Sequence, residues 1–282
     1  SSNVNADAAN QTRSGLALVA FEDAGAACLY AQGTTHLVAD LQSYVSANAV
    51  DDVADVRLLD TRSGARPAAG SLTVISGRPS SSAVVSIVAT EPARALYVQA
   101  LSCDGRPGAT SNLNLDAVGQ TRSGLAVVRF DAAGRACLYV SAPTHLVVDL
   151  QGYLAAGAFD DVADTRLLDT RSGARPGDGA VREIVGRPNG SGFVSVDATE
   201  TSTSLFVQVL PCAAVTGATS NVNADRAGAT VAGAAIVRFD ERGRACVFTN
   251  RASHLVVDLQ GWFAPTALDD IADERILDTR TP

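Results

Sequence analysis

Short apolar runs broken by Gly, Pro, Asp and Ser form the dominant pattern along this chain. The runs are rich in β-branched and aromatic residues, which is typical of strands, and no run has the period of an amphipathic helix. The clearest runs are "LAVVRF" (125–130), "ACLYV" (136–140), "HLVVDLQGYL" (145–154), "FVSVDA" (193–198) and "SLFVQVL" (204–210). The pattern therefore predicts an all-β fold.

Two shorter segments predict connections between these strands. The segment "FDAAGRA" (130–136) joins two apolar runs, and Gly134 is placed to supply the positive φ of a hairpin turn. The acidic segment "DDVAD" (160–164) separates two strand-rich stretches. We expect it to form one turn of helix.

The whole pattern recurs every 109 residues, which is the spacing of Asp60, Asp169 and Asp278 in an Asp-Thr-Arg string. Six to eight strands in a repeat of that size predict tandem antiparallel β-sandwiches of the immunoglobulin type, with a small β-barrel as the alternative. We divide the chain into a partial repeat that is the C-terminal half of a unit and two complete repeats. Their predicted bounds are 1–62, 63–171 and 172–282.

Composition narrows the class of protein. Apolar residues make up 46% of the chain and charged residues 18%, which is typical of a packed globular protein. The formal net charge of −8 disfavours nucleic acid as a partner, because phosphate binding needs clustered positive charge. No apolar run approaches the roughly 20 residues of a membrane-spanning helix, so we expect no membrane insertion.

The cysteines keep the same spacing as the repeat. Cys103 precedes Cys137 by 34 residues, and Cys212 precedes Cys246 by the same number. Disulfides within each repeat are the economical pairing, and they predict an oxidising, extracellular or cell-surface location. Cys28 is equivalent to Cys137 and Cys246, but the sequence contains no counterpart for its partner. We expect Cys28 to be a free thiol.

Each repeat has one histidine, four residues before an aspartate in "HLVVD" or "HLVAD". A metal site or part of a catalytic triad is one interpretation of His145 and Asp149. A triad also needs an activated nucleophile and a metal needs further ligands, and the sequence offers neither. The other interpretation is a histidine that is hydrogen-bonded inside the sandwich.

The Asp-Thr-Arg string predicts a structural clamp. Asp169 and Arg171 share one face of a strand, and Arg171 is expected to form a bidentate ion pair with Asp149 on a neighbouring strand. Recognition of an anionic or sugar ligand is the alternative. The clamp residues of the three copies are Asp40, Asp60, Arg62, Asp149, Asp169, Arg171, Asp258, Asp278 and Arg280.

Two further clusters could bind a ligand. Asp160, Asp161 and Asp164 are a candidate calcium site, although they lack EF-hand spacing and could equally be a solvated acidic loop. Paired asparagines could bind sugar hydroxyls or satisfy backbone groups. These are Asn112, Asn114, Asn221 and Asn223. No other cofactor is expected.

The succession "SNLNLDAVGQT", "GRACLYV", "THLVVDLQGYL" and "RLLDTRSG" resembles tandem repeats in large secreted or surface proteins of actinobacteria and other GC-rich bacteria. The resemblance covers essentially the whole chain. It implies extracellular β-rich spacer or adhesion modules that contact neighbouring repeats or copies of themselves, with no catalysis. A multivalent module that binds cell-wall or host glycans is the alternative function.

Overall fold

The computed structural model describes residues 2–108 and 110–280, without the side chains of Ala54, Asp55, Asp270 and Ala272. Those ranges contain eighteen β-strands and no helix, which confirms the all-β prediction. None of the described elements is therefore a helix that could cross a membrane.

Two complete units carry sixteen of the strands. The strands of the second unit are β2 (Val50–Asp60), β3 (Leu72–Ser76), β4 (Ser82–Thr90), β5 (Leu96–Leu101), β6 (Leu113–Leu115), β7 (Thr121–Arg129), β8 (Arg135–Val140) and β9 (His145–Leu154). The strands of the third unit are β10 (Phe159–Asp169), β11 (Val181–Val185), β12 (Ser191–Thr199), β13 (Leu205–Leu210), β14 (Val222–Ala224), β15 (Val231–Arg238), β16 (Arg244–Thr249) and β17 (His254–Phe263).

Each complete unit is a sandwich of two four-stranded antiparallel sheets. The second unit has the orders β2-β9-β4-β7 and β3-β8-β5-β6, and the third unit repeats them as β10-β17-β12-β15 and β11-β16-β13-β14. Numbered within a unit, the orders are 1-8-3-6 and 2-7-4-5, which is the eight-strand jelly-roll arrangement. An immunoglobulin domain divides its strands differently, as ABED and CFG.

The strand pairing divides the chain at other positions than the predicted 62/63 and 171/172 boundaries. The strand that carries each Asp-Thr-Arg string pairs with the unit that follows it: β2 with β9, and β10 with β17. The two sandwiches therefore span 50–154 and 159–263. The physical reason is the hydrogen-bonded ladder, which places β2 and β10 at the edge of a sheet whose other strands lie later in the chain. Residues 281–282 of the predicted last repeat lie outside the described residues.

The acidic segment at 160–164 is not a helical turn. It lies within β10, where the pairing with β17 shifts register between Asp161 and Thr165. A β-bulge accommodates extra residues on one strand without ending it. The sequence-based expectation was wrong because the bulge breaks the alternation by which a strand is recognised.

The remaining strands join the two ends of the chain. β1 (Val38–Val45) and β18 (Leu268–Asp278) form a two-stranded antiparallel sheet. They are equivalent to β9 and β2 of the second unit. The first unit therefore consists of residues 2–45 together with β18, and the described part of residues 2–37 contains no strand.

The three units close into a ring. The backbone N–H of Leu18 donates to Gln151 Oε1 (3.4 Å) and that of Val127 to Gln260 Oε1 (3.3 Å). The third bond, from Ile236 N–H to Gln42 Oε1 (3.4 Å), returns from the third unit to the first. Equivalent residues thus make the same contact three times, which is the pattern of a closed threefold arrangement.

Apolar residues form a core inside each complete sandwich and another between the units. The sandwich cores centre on Phe130 and Phe239, both fully buried. The core between units includes Phe193 and Phe263 together with three equivalent alanines. These are Ala49, Ala158 and Ala267. Burial of apolar area at these positions stabilises the ring as well as each sandwich.

The predicted hairpin turn is present. Gly134 has φ of 74°, and the equivalent Gly25 and Gly243 have 70° and 74°. A Cβ on Gly134 would also lie 2.5 Å from the carbonyl oxygen of Gly77, so this position excludes a side chain on two grounds.

Candidate functional site

A cross-strand ion pair joins each Asp-Thr-Arg strand to the central strand beside it. Arg57 lies opposite Asp149 in the ladder, and its Nε donates to Asp149 Oδ1 while Nη2 lies 3.5 Å from Oδ2. The side chain of Asp149 is only 4% exposed. The same pair is made by Arg166 with Asp258 and, at 2.7 Å, by Arg275 with Asp40.

The arginine of this clamp is not the predicted one. Arg171 forms its ion pair with Asp169 of its own string, through Nε (2.9 Å), Nη2 (2.5 Å) and its backbone N–H (3.0 Å). The first arginine of "RLLDTR" reaches across because the ladder places it directly opposite the buried aspartate. Arg62–Asp60 and Arg280–Asp278 have the same local geometry as Arg171–Asp169.

These local pairs hold the carboxylates ionised. The side-chain hydrogen bond from Arg171 is the largest reason why the pKa of Asp169 lies well below its usual range. Arg62 and Arg280 lower the pKa values of Asp60 and Asp278 in the same way. A carboxylate with so low a pKa is a poor general base, so the string has the chemistry of a structural clamp.

The threonine of each string holds the histidine. Thr61 donates its N–H to Leu146 O (3.0 Å), while Thr61 Oγ1 accepts from Leu146 N–H (2.9 Å) and lies 3.2 Å from His145 Nδ1. Thr170 and His254 repeat the contact at 3.2 Å. The histidine thus lies at the start of a strand and is hydrogen-bonded to a threonine of the neighbouring strand, which is one of the two interpretations of the sequence.

The asparagines are engaged within the fold. Asn112 and Asn221 are buried, and each Oδ1 accepts a backbone N–H at 2.7 Å, from Ala100 and Val209 respectively. Asn114 and Asn223 donate their amide N–H groups to Ser111 Oγ (3.2 Å) and Ser220 Oγ (3.1 Å). The contacts of Asn112 and Asn221 are those of the backbone interpretation, whereas Asn114 and Asn223 bind serine side chains.

Two of the three acidic residues of the candidate calcium site have separate partners. Asp160 forms an ion pair with Arg187 at 2.6 Å, and Asp164 accepts a hydrogen bond from Thr110. Burial raises the pKa of Asp161 to about 6. Among the described residues, no group of three or more His, Cys, Asp or Glu side chains is arranged to hold a metal ion.

Both predicted disulfides are present. Cys103 is bonded to Cys137 with a Cα–Cα distance of 5.0 Å, and Cys212 is bonded to Cys246 with 4.9 Å. Cys28 is a free, exposed cysteine, as expected. Each bond joins the segment after β5 or β13 to the strand β8 or β16 in the same unit.

Polar contacts between units were not predicted from the sequence. Arg13 pairs with Asp225 of the third unit at 2.7 Å, and Arg122 pairs with Asp7 of the first unit at 2.6 Å. Both arginines belong to a "TRSG" motif, at 12–15 and 121–124, whose third copy reads "TVAG". The recurrence of this arginine in two of the three copies was the available signal in the sequence.

One buried carboxylate distinguishes the third unit. Asp197 accepts from Asn114 Nδ2 (2.9 Å) and Ser111 Oγ (3.1 Å) of the second unit. Burial, together with the nearby carboxylate of Asp258, raises the pKa of Asp197 to about 7. The equivalent residue in the second unit is Val88, and this difference between "SIVA" and "SVDA" was visible in the sequence.

A shallow cavity of about 160 Å³ lies where the turns before β2, β10 and β18 meet. Its lining consists of Ser46, Asn48, Ala49, Ala156, Gly157, Ala158, Thr266 and Ala267. This lining has no histidine, cysteine, carboxylate or basic side chain. It therefore lacks the acid, base and charged groups from which an active site is assembled.

Comparisons with known proteins identify no relative for this chain. No protein-family model matches it, and no curated protein matches it. A solved structure titled "Crystal Structure of the STIV MCP" is similar over 75% of this chain and 97% of that chain, with 9% sequence identity and a TM-score of 0.28. A likeness at that score carries no argument, and the resemblance to bacterial surface repeats stays a prediction.

Proposed function

We propose that the protein is a non-catalytic structural or adhesive module of a secreted or cell-surface protein. In this role it acts as a spacer, stalk or filament component. The observation that carries the proposal is the use of the repeated polar residues: the first arginine and the threonine of each "RLLDTR" bind a neighbouring strand, and its aspartate and second arginine bind each other. Side chains engaged in this way hold an architecture and are not free to act on a substrate.

The ring of three units indicates a compact structural module. The Gln151, Gln260 and Gln42 contacts close the three units upon one another, in place of a linear string of beads. Closed interfaces leave fewer free ends than a head-to-tail array. The protein would therefore act as a compact node that presents equivalent surfaces around one axis.

The disulfide bonds support the proposed location outside the cytosol. Two disulfides at equivalent positions are compatible with an oxidising compartment and support export from the cytosol. Immunodetection in fractionated source cells should place the protein outside the cytoplasm, with both disulfides intact by non-reducing mass spectrometry. A cytoplasmic protein with five reduced thiols would overturn this location.

The non-catalytic role is tested by two variants in cells that lack the protein. His145→Asn removes an imidazole but keeps a group that can hydrogen-bond Thr61, so surface assembly or adhesion should be retained. The pair Arg122→Ala with Arg13→Ala removes two contacts of the ring, so the same readout should be lost. Loss of function in a folded His145→Asn protein would indicate chemistry at the histidine and overturn the proposal.

A further inference from the structure

A small cavity lies where all three units meet. Its volume is about 10 Å³. Each unit lines it with the same two segments, namely β6 or its equivalent and the start of β7 or its equivalent. Because equivalent residues surround it, the cavity lies on the threefold axis of the ring. These residues include Asn5, Asn114 and Asn223, together with Arg13, Arg122 and Val231.

The third unit contributes smaller side chains to this cavity than the other two. Val231 lies where the other units have arginine, and Ala232 lies where they have serine. The hydroxyl groups of Ser14 and Ser123 each donate to a backbone carbonyl oxygen of another unit at 2.8 Å, a bond that alanine cannot make. The two smaller side chains leave room on the axis that a third arginine would occupy.

The third arginine–aspartate pair lies away from the axis. Asp116 pairs with Arg226 at 2.8 Å, and Arg226 is 50% exposed and does not line the cavity. The arginines of the other two pairs, Arg13 and Arg122, do line it and are only 6% and 7% exposed. The ring therefore keeps an ion pair at each contact between units but only two guanidinium groups beside the cavity.

The lining of the cavity is positively charged. Its described residues include two arginines and no carboxylate. The carboxylates that pair with these arginines, Asp7 and Asp225, lie outside the lining and are 25% and 20% exposed. Water screens them more than it screens the buried guanidinium groups, and a charge that is partly removed from water attracts an opposite charge more strongly. The cavity therefore favours an anion.

Hydrogen-bond donors are also left over beside the cavity. Arg13 pairs through Nη2 with Asp225 at 2.7 Å and donates from Nη1 to Thr12 O at 3.1 Å. Its Nε is buried and has no partner among the described residues. Asn5 is bonded to Ser2 through Oδ1, which leaves its amide N–H groups to donate. A buried donor is costly without an acceptor, and an acceptor in the cavity would supply one.

We propose that the cavity binds one chloride ion between the guanidinium groups of Arg13 and Arg122. The ion accepts hydrogen bonds from Arg13 Nε and from the side-chain amides around the axis. A volume of about 10 Å³ admits one particle of about the size of a water molecule. It therefore excludes sulfate, phosphate and carboxylate anions, which have several heavy atoms.

The bound chloride links the three units. All three contribute residues to its site, so the site exists only when the ring is closed. A ligand that binds only the folded state stabilises that state by mass action. The inference goes beyond the proposed structural role and does not depend on it, because ion binding in vitro is independent of where the protein is located in cells.

The first test compares equilibrium unfolding by urea in sodium chloride and in sodium gluconate at the same ionic strength. Gluconate is too large for the cavity, so the comparison removes general screening by salt. When the chloride concentration is about tenfold above its Kd, the unfolding equilibrium constant should be about tenfold lower than in gluconate. Equal constants in the two salts over the whole range of chloride concentration would overturn the proposal.

Three variants locate the effect. Val231→Leu fills the cavity without changing a polar group, so the folded variant should unfold equally in both salts. Arg13→Gln removes one guanidinium group from the lining and should also lose the difference. Arg226→Gln is the matched control, because it removes the arginine of the equivalent ion pair outside the lining, and it should keep the difference. A full chloride effect in Val231→Leu, or loss of the effect in Arg226→Gln, would rule out this site.

The second test places the ion directly. Crystals grown in sodium bromide should show an anomalous scattering peak beside Arg13 Nε in the wild-type protein and none there in Val231→Leu. Bromide is a suitable probe because it is monatomic and has the same charge as chloride. Absence of a bromide peak from the wild-type cavity, with a water molecule in its place, would overturn the proposal.

Discussion

The first and second units have almost the same sequence where they differ most in structure. "SGLALVAF" (14–21) and "SGLAVVRF" (123–130) share the strand pattern. In the second unit the segment forms most of β7, hydrogen-bonded along its length to β4. In the first unit it lies in an equivalent place beside its neighbours, yet it forms no strand.

This difference shows that a segment with a strand pattern forms a strand only where a second strand is present to pair with it. A strand is stabilised by cross-strand pairs and by burial of one face, and both require another strand. Among the described residues, no strand of the first unit takes the position of β4, and the apolar side chains of Phe21 and Tyr44 are exposed. The comparison can be tested by making the same change in both units.

The largest difference is expected for the equivalent phenylalanines. Phe130→Ala should lower the free energy of unfolding by about 4 kcal/mol, because Phe130 is fully buried and leaves a cavity. Phe21→Ala should lower it by less than about 1 kcal/mol, because Phe21 is 41% exposed. Urea denaturation of the two variants measures both values. Equal losses would show that the first unit is as tightly packed as the second.

The disulfides provide the next comparison. Replacing Cys103 and Cys137 with alanine should lower the free energy of unfolding by about 3–4 kcal/mol, because the bond closes a loop between residues 34 apart. Cys28→Ser should leave stability unchanged, because that thiol is free and exposed. Thermal denaturation under non-reducing conditions compares the variants. A marked loss in Cys28→Ser would contradict the open first unit.

The cross-strand clamp should matter more where its aspartate is more deeply buried. Arg166→Met leaves Asp258, whose side chain is 2% exposed, without this ion pair and should lower the free energy of unfolding by about 3 kcal/mol at pH 7. Arg275→Met should have less effect, because Asp40 is 16% exposed. Burial already raises the pKa of Asp258, so acid should restore part of the loss in Arg166→Met. An identical loss at pH 5 and pH 7 would contradict the clamp.

The smallest net effect of a substitution is expected at Asp197, in the contact between the second and third units. The pKa of Asp197 is about 7 in the folded protein against about 4 in an unfolded chain, so the folded state binds its proton more tightly. Stability should fall as pH rises from about 4 to about 7, and the penalty is complete above pH 7. It amounts to about 4 kcal/mol at 1.36 kcal/mol per pH unit.

Asp197→Val copies the residue of the second unit and should remove this penalty. The variant also loses the hydrogen bonds from Ser111 and Asn114, which are worth about 1 kcal/mol each. The net gain at pH 8 should therefore be about 2 kcal/mol, measured by urea denaturation between pH 5 and pH 8. Val88→Asp is the reciprocal variant and should be destabilised at pH 8. A wild-type protein with no pH dependence in this range would contradict the buried carboxylate.

Much of the local structure followed from particular residues. The run "HLVVDLQGYL" coincides with β9 because its β-branched residues suit a strand that is buried on both faces. Gly134 marked the turn because few other residues adopt its φ. The constant spacing of 34 residues predicted the pairing of Cys103 with Cys137, and Cys28 is free as expected.

The candidate site was predicted less well, because sequence distance is a poor guide to register. Asp149 was expected to pair with Arg171, but the ladder places Arg57 opposite it, 92 residues earlier. The bulge after Asp161 interrupts the alternating pattern of β10, and for this reason residues 160–164 were predicted as a helical turn. A shift of one residue reverses the face of every side chain, so register cannot be extrapolated through a bulge.

The sequence by itself determined the all-β class, the 109-residue repeat, the main strands and the disulfides, because each depends on short-range pattern or on identical spacing. Only the tertiary structure decided the jelly-roll strand order and the unit to which each Asp-Thr-Arg strand belongs. It also decided the hydrogen bond from Ile236 to Gln42 that closes the ring. These features depend on hydrogen bonds between residues far apart in the chain. Their partners are chosen by packing and register, which local sequence does not encode.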